Sequence, residues 1–159
     1  MTGTKVLSRT FNYLTSSQRD VWSLSKKGFT QTKIASRLGV SRQAIHKTLN
    51  QANERVLGAL LDTAQINKLD VKNADPSKGV LVGYSHGFRS RVFVIYSAKN
   101  GVQLWYEHQG QCEGCQKRED CTRKLLETAK EWEIDLTKDE TMLPPTLLAE
   151  KLFSEVSRP

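Results

Sequence analysis

Residues 31–50 read QTKIASRLGVSRQAIHKTLN, and this stretch decides how the first half of the chain folds. Apolar residues recur in it at helical spacing in two runs, which Gly39 separates. Glycine accepts the left-handed backbone conformation that a tight turn requires, and the small side chain of Ala35 allows two helices to cross closely. Val40 and Ile45 are expected to fill the wedge between these helices. The sequence therefore predicts two helices joined by a short turn.

Capping residues mark where the helices of this half begin. Thr15 and Gln18 form a Thr-x-x-Gln capping box that opens a first helix, and Thr30 and Ser41 can cap the second and the third. The third helix is expected to continue to about Asn67, because its one internal glycine costs a helix only about 1 kcal/mol. Three helices are therefore predicted, and the inward-facing residues of the second are Ile34, Ala35 and Leu38.

The three predicted helices resemble a known DNA-binding unit. The stretch LTSSQRDVWSLSKKGFTQTKIASRLGVSRQAIHKTLNQA is similar to the helix-turn-helix of sigma-factor region four, of LuxR-type response regulators and of archaeal Tfx-type regulators. The Leu-Thr-x-x-Gln opening, the Gly-x-Thr entry and the Ile-Ala…Leu-Gly-Val-Ser core carry this resemblance, which covers only residues 14–55 or so. It implies binding to double-stranded DNA with the third helix in the major groove, in a cytoplasmic, prokaryotic and archaeal-like setting.

The net charge lies in the same half of the chain. Residues 1–70 hold 11 Lys and Arg against 4 Asp and Glu, a balance of +7. Residues 71–159 hold the remaining 13 basic and 13 acidic residues, a balance of zero. This asymmetry is typical of a basic nucleic-acid-binding domain joined to a neutral one.

The exposed start of the third helix is expected to read base edges. Arg42 can bond bidentately to guanine, and Gln43 or Asn50 can do so to adenine. Basic side chains on the second and third helices suit phosphates, as do the free backbone N–H groups that begin the second helix. The predicted DNA-binding residues are Gln31, Thr32, Lys33, Arg37, Ser41, Arg42, Gln43, His46, Lys47 and Asn50.

An apolar stripe runs along the third helix. Its members step at three or four residues and are Ile45, Leu49, Ala52, Val56, Leu60 and Ala64. A protein that reads palindromic DNA binds as a dimer, so a homodimer is predicted, and this stripe is one surface that could form it. The alternative is that the stripe packs on the sheet predicted for the second half.

The second half is predicted to hold a small antiparallel β-sheet. Three runs rich in β-branched and aromatic residues cover residues 79–85, 90–97 and 101–108. The dipeptide Asn100-Gly101 is typical of a hairpin between the last two runs.

Helices are predicted to follow the sheet, one over about residues 120–132 and a final one that Thr146 caps. The fold class is therefore α+β. A helix-turn-helix domain with a long third helix is expected in residues 1–70, a polar linker in 71–78, and a small domain with a cysteine-rich knuckle in 79–159.

All three cysteines lie within ten residues, in HQGQCEGCQKREDC. The chain starts without a secretory signal pattern, so a reducing compartment is expected and disulfides are not. Cys112-x2-Cys115 can turn two thiolates onto one ion, with Gly114 freeing the backbone between them. Cys121 is expected in the first turn of a helix, where the helix dipole favours the thiolate. The pattern indicates a metal site.

A tetrahedral zinc site needs a fourth ligand. His108 precedes Cys112 by four residues and is the predicted one, and His86 is the alternative. An iron–sulfur cluster on the same cysteines would instead make the protein a redox sensor. Redox-active thiols without a metal are a third alternative. The predicted metal ligands are His108, Cys112, Cys115 and Cys121.

These features predict a sequence-specific transcriptional regulator with a zinc-binding sensory, dimerising or structural domain. No run of eighteen apolar residues exists, so no membrane association is expected. No serine–histidine–aspartate order, phosphate loop or carboxylate pair points to catalysis, so the chain is not expected to be an enzyme. The alternatives are an assembly module that contacts the transcription machinery, and a metal or thiol enzyme that uses Cys112 or Cys115.

Overall fold

Residues 13–107 and 110–157 are described by a computed structural model, in which they form six helices and one four-stranded antiparallel sheet. This architecture confirms the predicted α+β class. None of the helices in the described part of the chain has the length and apolar character that crossing a lipid bilayer demands.

The first three helices are α1 (Ser16–Lys26), α2 (Gln31–Leu38) and α3 (Arg42–Ile66). Each begins after a polar side chain that accepts a hydrogen bond from the backbone N–H three residues later. The distances are 3.2, 3.2 and 3.1 Å. The predicted caps are confirmed, and they are Thr15, Thr30 and Ser41.

The turn between α2 and α3 depends on one glycine. Gly39 ends α2 with a φ of 68°, in the left-handed region that residues with a β-carbon rarely enter. The N–H of Val40 then bonds to the carbonyl of Ala35 at 3.1 Å. The chain thus reverses within a few residues, and α3 starts directly after the turn.

A small apolar cluster holds the three helices together. Its buried members are Val21, Ile34, Ala35 and Ile45. Two residues that were expected to face inward do not: Leu38 is 41% exposed and Val40 is 47% exposed. This part of the prediction is wrong because Val21 of α1 completes the cluster in place of Leu38 and Val40. Leu24 and Leu49 pack at its edge.

The sheet contains four strands in chain order, each antiparallel to the next. They are β1 (Leu69–Asp75), β2 (Val80–Ser85), β3 (Ser90–Ser97) and β4 (Gly101–Tyr106). The last three match the predicted strands closely, except that β4 ends at Tyr106 rather than at residue 108. Residue 108 lies outside the described part of the chain.

Strand β1 occupies most of the stretch that was predicted to be a linker. Residues 71–75 pair with β2, with a bulge between Val71 and Asn73. Asp75 then closes the turn that follows, since its carboxylate accepts hydrogen bonds from Ser77 and from the N–H of Lys78. β1 is an edge strand whose central residues are exposed, so it lacks the apolar pattern by which the other strands are recognised.

Helices cover both faces of the sheet. α1 and α3 pack on one face, where the buried residues include Trp22, Val56, Leu60, Leu81, Val94 and Tyr96. On the other face lie α4 (Arg118–Glu131) and α6 (Pro145–Val156), separated by the short α5 (Lys138–Thr141). Buried residues of that layer include Phe93, Ile95, Leu125, Leu148 and Phe153.

The apolar stripe of α3 belongs to the core of the single chain. Ala52, Val56, Leu60 and Ala64 are all buried in the cluster that includes β2 and β3. The stripe therefore packs on the sheet, as the alternative interpretation held, and is not free to form a homodimer. The cluster also crosses the predicted linker. The division into domains stays a prediction, but a boundary at residues 71–78 would divide a shared core.

The final helix begins differently from the prediction. α6 starts at Pro145, with Pro144 at the capping position and no side-chain hydrogen bond there, so Thr146 is not its cap. Proline suits the first turn of a helix because its fixed φ is helical and the N–H that it lacks would have no partner there. α4 starts at Arg118, two residues before the predicted start.

Candidate nucleic-acid interface and thiol cluster

The start of α3 presents polar side chains to solvent, most of them on the side away from its buried residue Ile45. We call this surface the α3 polar face. It consists of Arg42, Gln43, His46, Lys47 and Asn50, all of which are exposed. A helix face of this kind is free to enter a groove, because no part of the described fold covers it.

A chain of three polar side chains joins α2 to this face. Gln31 Nε2 lies 3.3 Å from His46 Nδ1, and Asn50 Nδ2 lies 3.2 Å from His46 Nε2. Both amides present an N–H group to the ring, and a neutral imidazole has only one acceptor nitrogen, so only one of these two amides donates to the ring in a given tautomer. His46 therefore lies between two amides and accepts from one of them, and both amides keep polar groups that a ligand can bind.

Other predicted DNA-binding residues surround the α3 polar face. Thr32, Lys33 and Ser41 are exposed at the starts of the two helices, and Arg37 is exposed with its guanidinium over the Phe29 ring at 5.5 Å. The Thr30 cap engages the N–H of Lys33. It leaves the first N–H groups of α2 pointing to solvent, which is the usual arrangement of an anion site at a helix start.

Charge is one-sided in this region. Residues 21–53 contain six basic residues and no acidic one. The structure thus brings the ten predicted DNA-binding residues to one exposed region, where only Gln31 is half-buried. A surface with this charge attracts polyanions.

The three cysteines share one cavity between the sheet and α6. We call Cys112, Cys115 and Cys121 the thiol cluster. The cavity has a volume of about 1290 Å³, and its other walls come from β3, β4 and α6, with Phe93, Trp105 and Phe153 among the lining residues. Cys112 Sγ lies 3.9 Å from Thr146 Oγ1, so the cluster reaches the start of α6.

Two successive turns position the thiols. The N–H of Cys115 bonds to the carbonyl of Cys112 at 3.2 Å, with Gly114 at a φ of 75° between them. The N–H of Arg118 then bonds to the carbonyl of Cys115 at 3.1 Å and leads into α4, whose first turn holds Cys121. The predicted placement of Cys121 is confirmed.

The environment of Cys121 opposes the thiolate rather than favouring it. Burial raises the pKa of this thiol above its ordinary value. The negative charges of Asp120 and of the other two thiols act in the same direction. The pKa is therefore shifted in the opposite direction to the one that the sequence predicted from the helix dipole. The proximity of the other two sulfur atoms is itself part of the cause of the raised pKa of Cys121.

The predicted zinc ligands are not assembled as a set in the described residues. Among residues 13–107 and 110–157, no three Cys, His, Asp or Glu side chains converge closely enough to hold a metal ion. His108 lies outside these residues. His86 is exposed at the turn between β2 and β3, beside Tyr84 and 3.8 Å from Asp70, and it does not line the cavity.

The cavity also contains an ion pair that was not predicted from the sequence. Arg91 and Glu107 form an ion pair with a 2.8 Å distance at its rim. If the two strands predicted on either side of the Asn100-Gly101 hairpin are paired outward from it, these residues lie opposite each other. The strand pairing could therefore have indicated this ion pair.

Comparison of the chain with protein-family models, with curated proteins and with solved structures found no match.

Proposed function

We propose that this protein is a sequence-specific double-stranded DNA-binding transcriptional regulator, in which α2 and α3 form a helix-turn-helix and α3 enters the major groove. One observation carries the proposal: the α3 polar face is exposed while Ile45, in the same turns of the helix, is buried and anchors it. A recognition helix needs both properties, since its base contacts must protrude while its position stays fixed.

The connection between the two helices supports this assignment. α2 ends at a left-handed glycine, and Ser41 caps α3 only two residues later. Arg42 and Gln43 then lie in the first turn of α3, which is the part of a recognition helix that contacts base edges. Their side chains carry the donors and acceptors that distinguish guanine and adenine in the major groove.

The surrounding charge supports it independently. Lys33 and Arg37 flank the α3 polar face, and together with Lys47 of that face they suit phosphate groups on either side of a groove. Such contacts hold the protein in register without specifying sequence. They also release counterions, so binding should weaken steeply as salt is added.

The partner proteins remain predictions. A homodimer is expected of a protein that reads palindromic sites, but its contact must lie outside the buried stripe of α3. Contact with the transcription machinery is likewise a prediction, and no described residue is assigned to it.

The first experiment is selection of duplexes from a random DNA pool by the full-length protein, followed by anisotropy titrations on the selected site. Arg42→Ala should weaken binding about 5- to 150-fold, the equivalent of roughly 1–3 kcal/mol, and should relax preference at one base position. Lys47→Ala should weaken binding to all sequences alike and lower the salt slope by about 1.

Arg55→Ala is the matched control, because Arg55 is an exposed arginine on the same helix, thirteen residues from Arg42. That spacing corresponds to about 20 Å along the axis and a different side of the helix. This variant should bind like the wild type. Equal losses in Arg42→Ala and Arg55→Ala, or no duplex binding at low salt, would contradict the proposal.

A further inference from the structure

We propose that the thiol cluster binds one zinc ion through Cys112, Cys115 and Cys121, a site separate from the DNA interface. The three sulfur-bearing side chains occupy one cavity, on two consecutive turns of backbone. Thiolates are preferred zinc ligands, and a Cys-x2-Cys turn followed by a third cysteine is a frequent ligand arrangement.

The surroundings show that these cysteines are not ordinary core residues. Cys115 is exposed and the other two are half-buried, and their sequence neighbours are polar. Cys112 and Cys115 lie in a segment without regular secondary structure, and Cys121 lies in the first turn of α4. Buried structural cysteines are normally enclosed by apolar groups. The cluster instead opens to solvent through the cavity, which gives an ion a path to it.

The local backbone can support thiolates once an ion is bound. Lys117 precedes α4 at the capping position and its side chain makes no capping hydrogen bond, so N–H groups of the first turn after Arg118 remain available as donors to sulfur. Lys117 and Arg118 line the same cavity and offset the negative charge of three thiolates on one dication.

Convergence on the ion requires movement of the cysteine side chains. The sulfur atoms do not converge within the described residues, but a cysteine side chain turns between staggered positions about a single bond. Cys115 is exposed, and the polar contact of Cys112 among the described residues is with Thr146. Rotation of these two side chains therefore breaks little packing.

Zinc fits this cluster better than an iron–sulfur cluster. The whole chain has three cysteines, whereas such clusters are ordinarily held by four. Zinc accepts three thiolates and one nitrogen or oxygen ligand. The proposal rests on the three thiolates, and the predicted fourth ligand His108 is left to the experiment.

A bound ion would link the segment after β4 to the start of α4 and, through Cys112, to α6. Most residues of this segment from 111 to 117 are exposed, so the binding free energy of the metal would be the main contribution that fixes it. We therefore expect removal of the ion to loosen the cavity wall while α1–α3 remain folded.

The test uses the full-length protein, purified without chelators, and measures metal content and free thiols. We expect about one zinc per chain, no visible absorption, and three thiols that become reactive only after a chelator is added. Cobalt substitution should give the absorption of a tetrahedral thiolate complex. In a competition titration, Cys112→Ser, Cys115→Ser and Cys121→Ser should each weaken zinc binding more than about tenfold, the loss typical even of outer-sphere changes.

Gln116→Ser is the matched control within the cluster, since Gln116 is exposed between two ligands and should leave zinc affinity unchanged. His108→Ala assigns the fourth ligand by whether affinity falls. A colourless protein that takes up no zinc and has three reactive thiols would overturn the proposal, and so would a brown protein with iron and sulfide. Both measurements use the wild type, so an unfolded variant cannot obscure the result.

Discussion

Lys26 joins three parts of the fold at a single amino group. Its Nζ donates to the carbonyl of Lys78 at 2.5 Å and lies 5.4 and 4.6 Å from the ring centres of Trp22 and Trp132. Burial lowers the pKa of Lys26 from 10.5 to about 8, although the charges of Glu131 and Asp75 act in the opposite direction. The end of α1, the turn after β1 and the end of α4 therefore meet at a partly desolvated cation.

This position predicts an unusual pH dependence. Between pH 8 and 10.5 the unfolded chain holds a proton on Lys26 that the folded chain has released. The free energy of unfolding contributed by Lys26 therefore rises with pH across this window, and the cost of burying the charge is fully present below it. Relative to Lys26→Met, the wild type should gain stability between pH 7 and pH 10, measured by urea unfolding of both proteins.

Lys27→Met is the control for this prediction, because Lys27 is the next residue and is exposed. It should follow the wild-type pH profile. Parallel profiles for Lys26→Met and the wild type would show that Lys26 keeps its proton on folding.

At the scale of elements, α3 has two functions along its 25 residues. Its first turns carry the exposed α3 polar face, and its later turns bury the apolar stripe on the sheet. Gly58 lies in the second part, and a β-carbon added there would meet no atom within 4 Å. Gly58 therefore costs helix stability without relieving any contact.

Gly58→Ala is expected to raise the free energy of unfolding by about 0.5–1 kcal/mol, because alanine has the higher helix propensity and restricts the unfolded chain. Urea unfolding monitored by circular dichroism measures this. Gly79→Ala is the contrasting variant: a β-carbon there would lie 2.9 Å from the Tyr96 carbonyl oxygen, so it should destabilise the protein. A destabilised Gly58→Ala would show that α3 is tighter at this point than the structure indicates.

Over the whole molecule, the sheet is the layer that both sets of helices share. Strand β3 alternates between the two faces, with Val92 and Val94 toward α3 and Phe93 and Ile95 toward α4 and α6. The two predicted domains therefore meet in one apolar layer. Unfolding of the first half would expose the sheet core of the second.

This shared core predicts that one substitution weakens both halves. Leu60 is fully buried against the sheet, and Leu60→Ala should cost about 2–5 kcal/mol. Hydrogen exchange followed by mass spectrometry should show lost protection in α1 and in β3 alike. Leu61→Ala, at the neighbouring residue that is 40% exposed, should have a much smaller effect. Loss confined to α1–α3 would favour two independent domains.

Local signals explain which elements could be predicted. The caps at Thr15, Thr30 and Ser41 and the strand β3 were correct because each depends on residues close together in sequence. Strand β1 was not predicted because it is an exposed edge strand and lacks the apolar alternation of the other strands. Its pairing with β2 is what makes it a strand. The exposure of Leu38 and Val40 was missed because Val21, from another helix, closes their cluster.

The same distinction between nearby and distant residues explains which parts of the candidate sites could be predicted. Exposure of the α3 polar face follows from helical periodicity once Ile45 is placed inside, so the sequence alone could indicate it. The shared cavity of the thiol cluster with Phe153 and Trp105 could not be predicted, since its walls come from elements that are distant from the cysteines in the sequence.

By itself, the sequence determined the three capped helices, the central hairpin, the exposed basic face and the spacing of the cysteines. These features rest on backbone propensity, capping and periodicity within a few residues. Only the tertiary structure decided that the α3 stripe packs on the sheet, that β1 forms an edge strand, and that Lys26 loses solvent between two tryptophans. Burial depends on which distant surfaces pack together. The free energy of that packing comes from residues that are far apart in the sequence and that no local pattern connects.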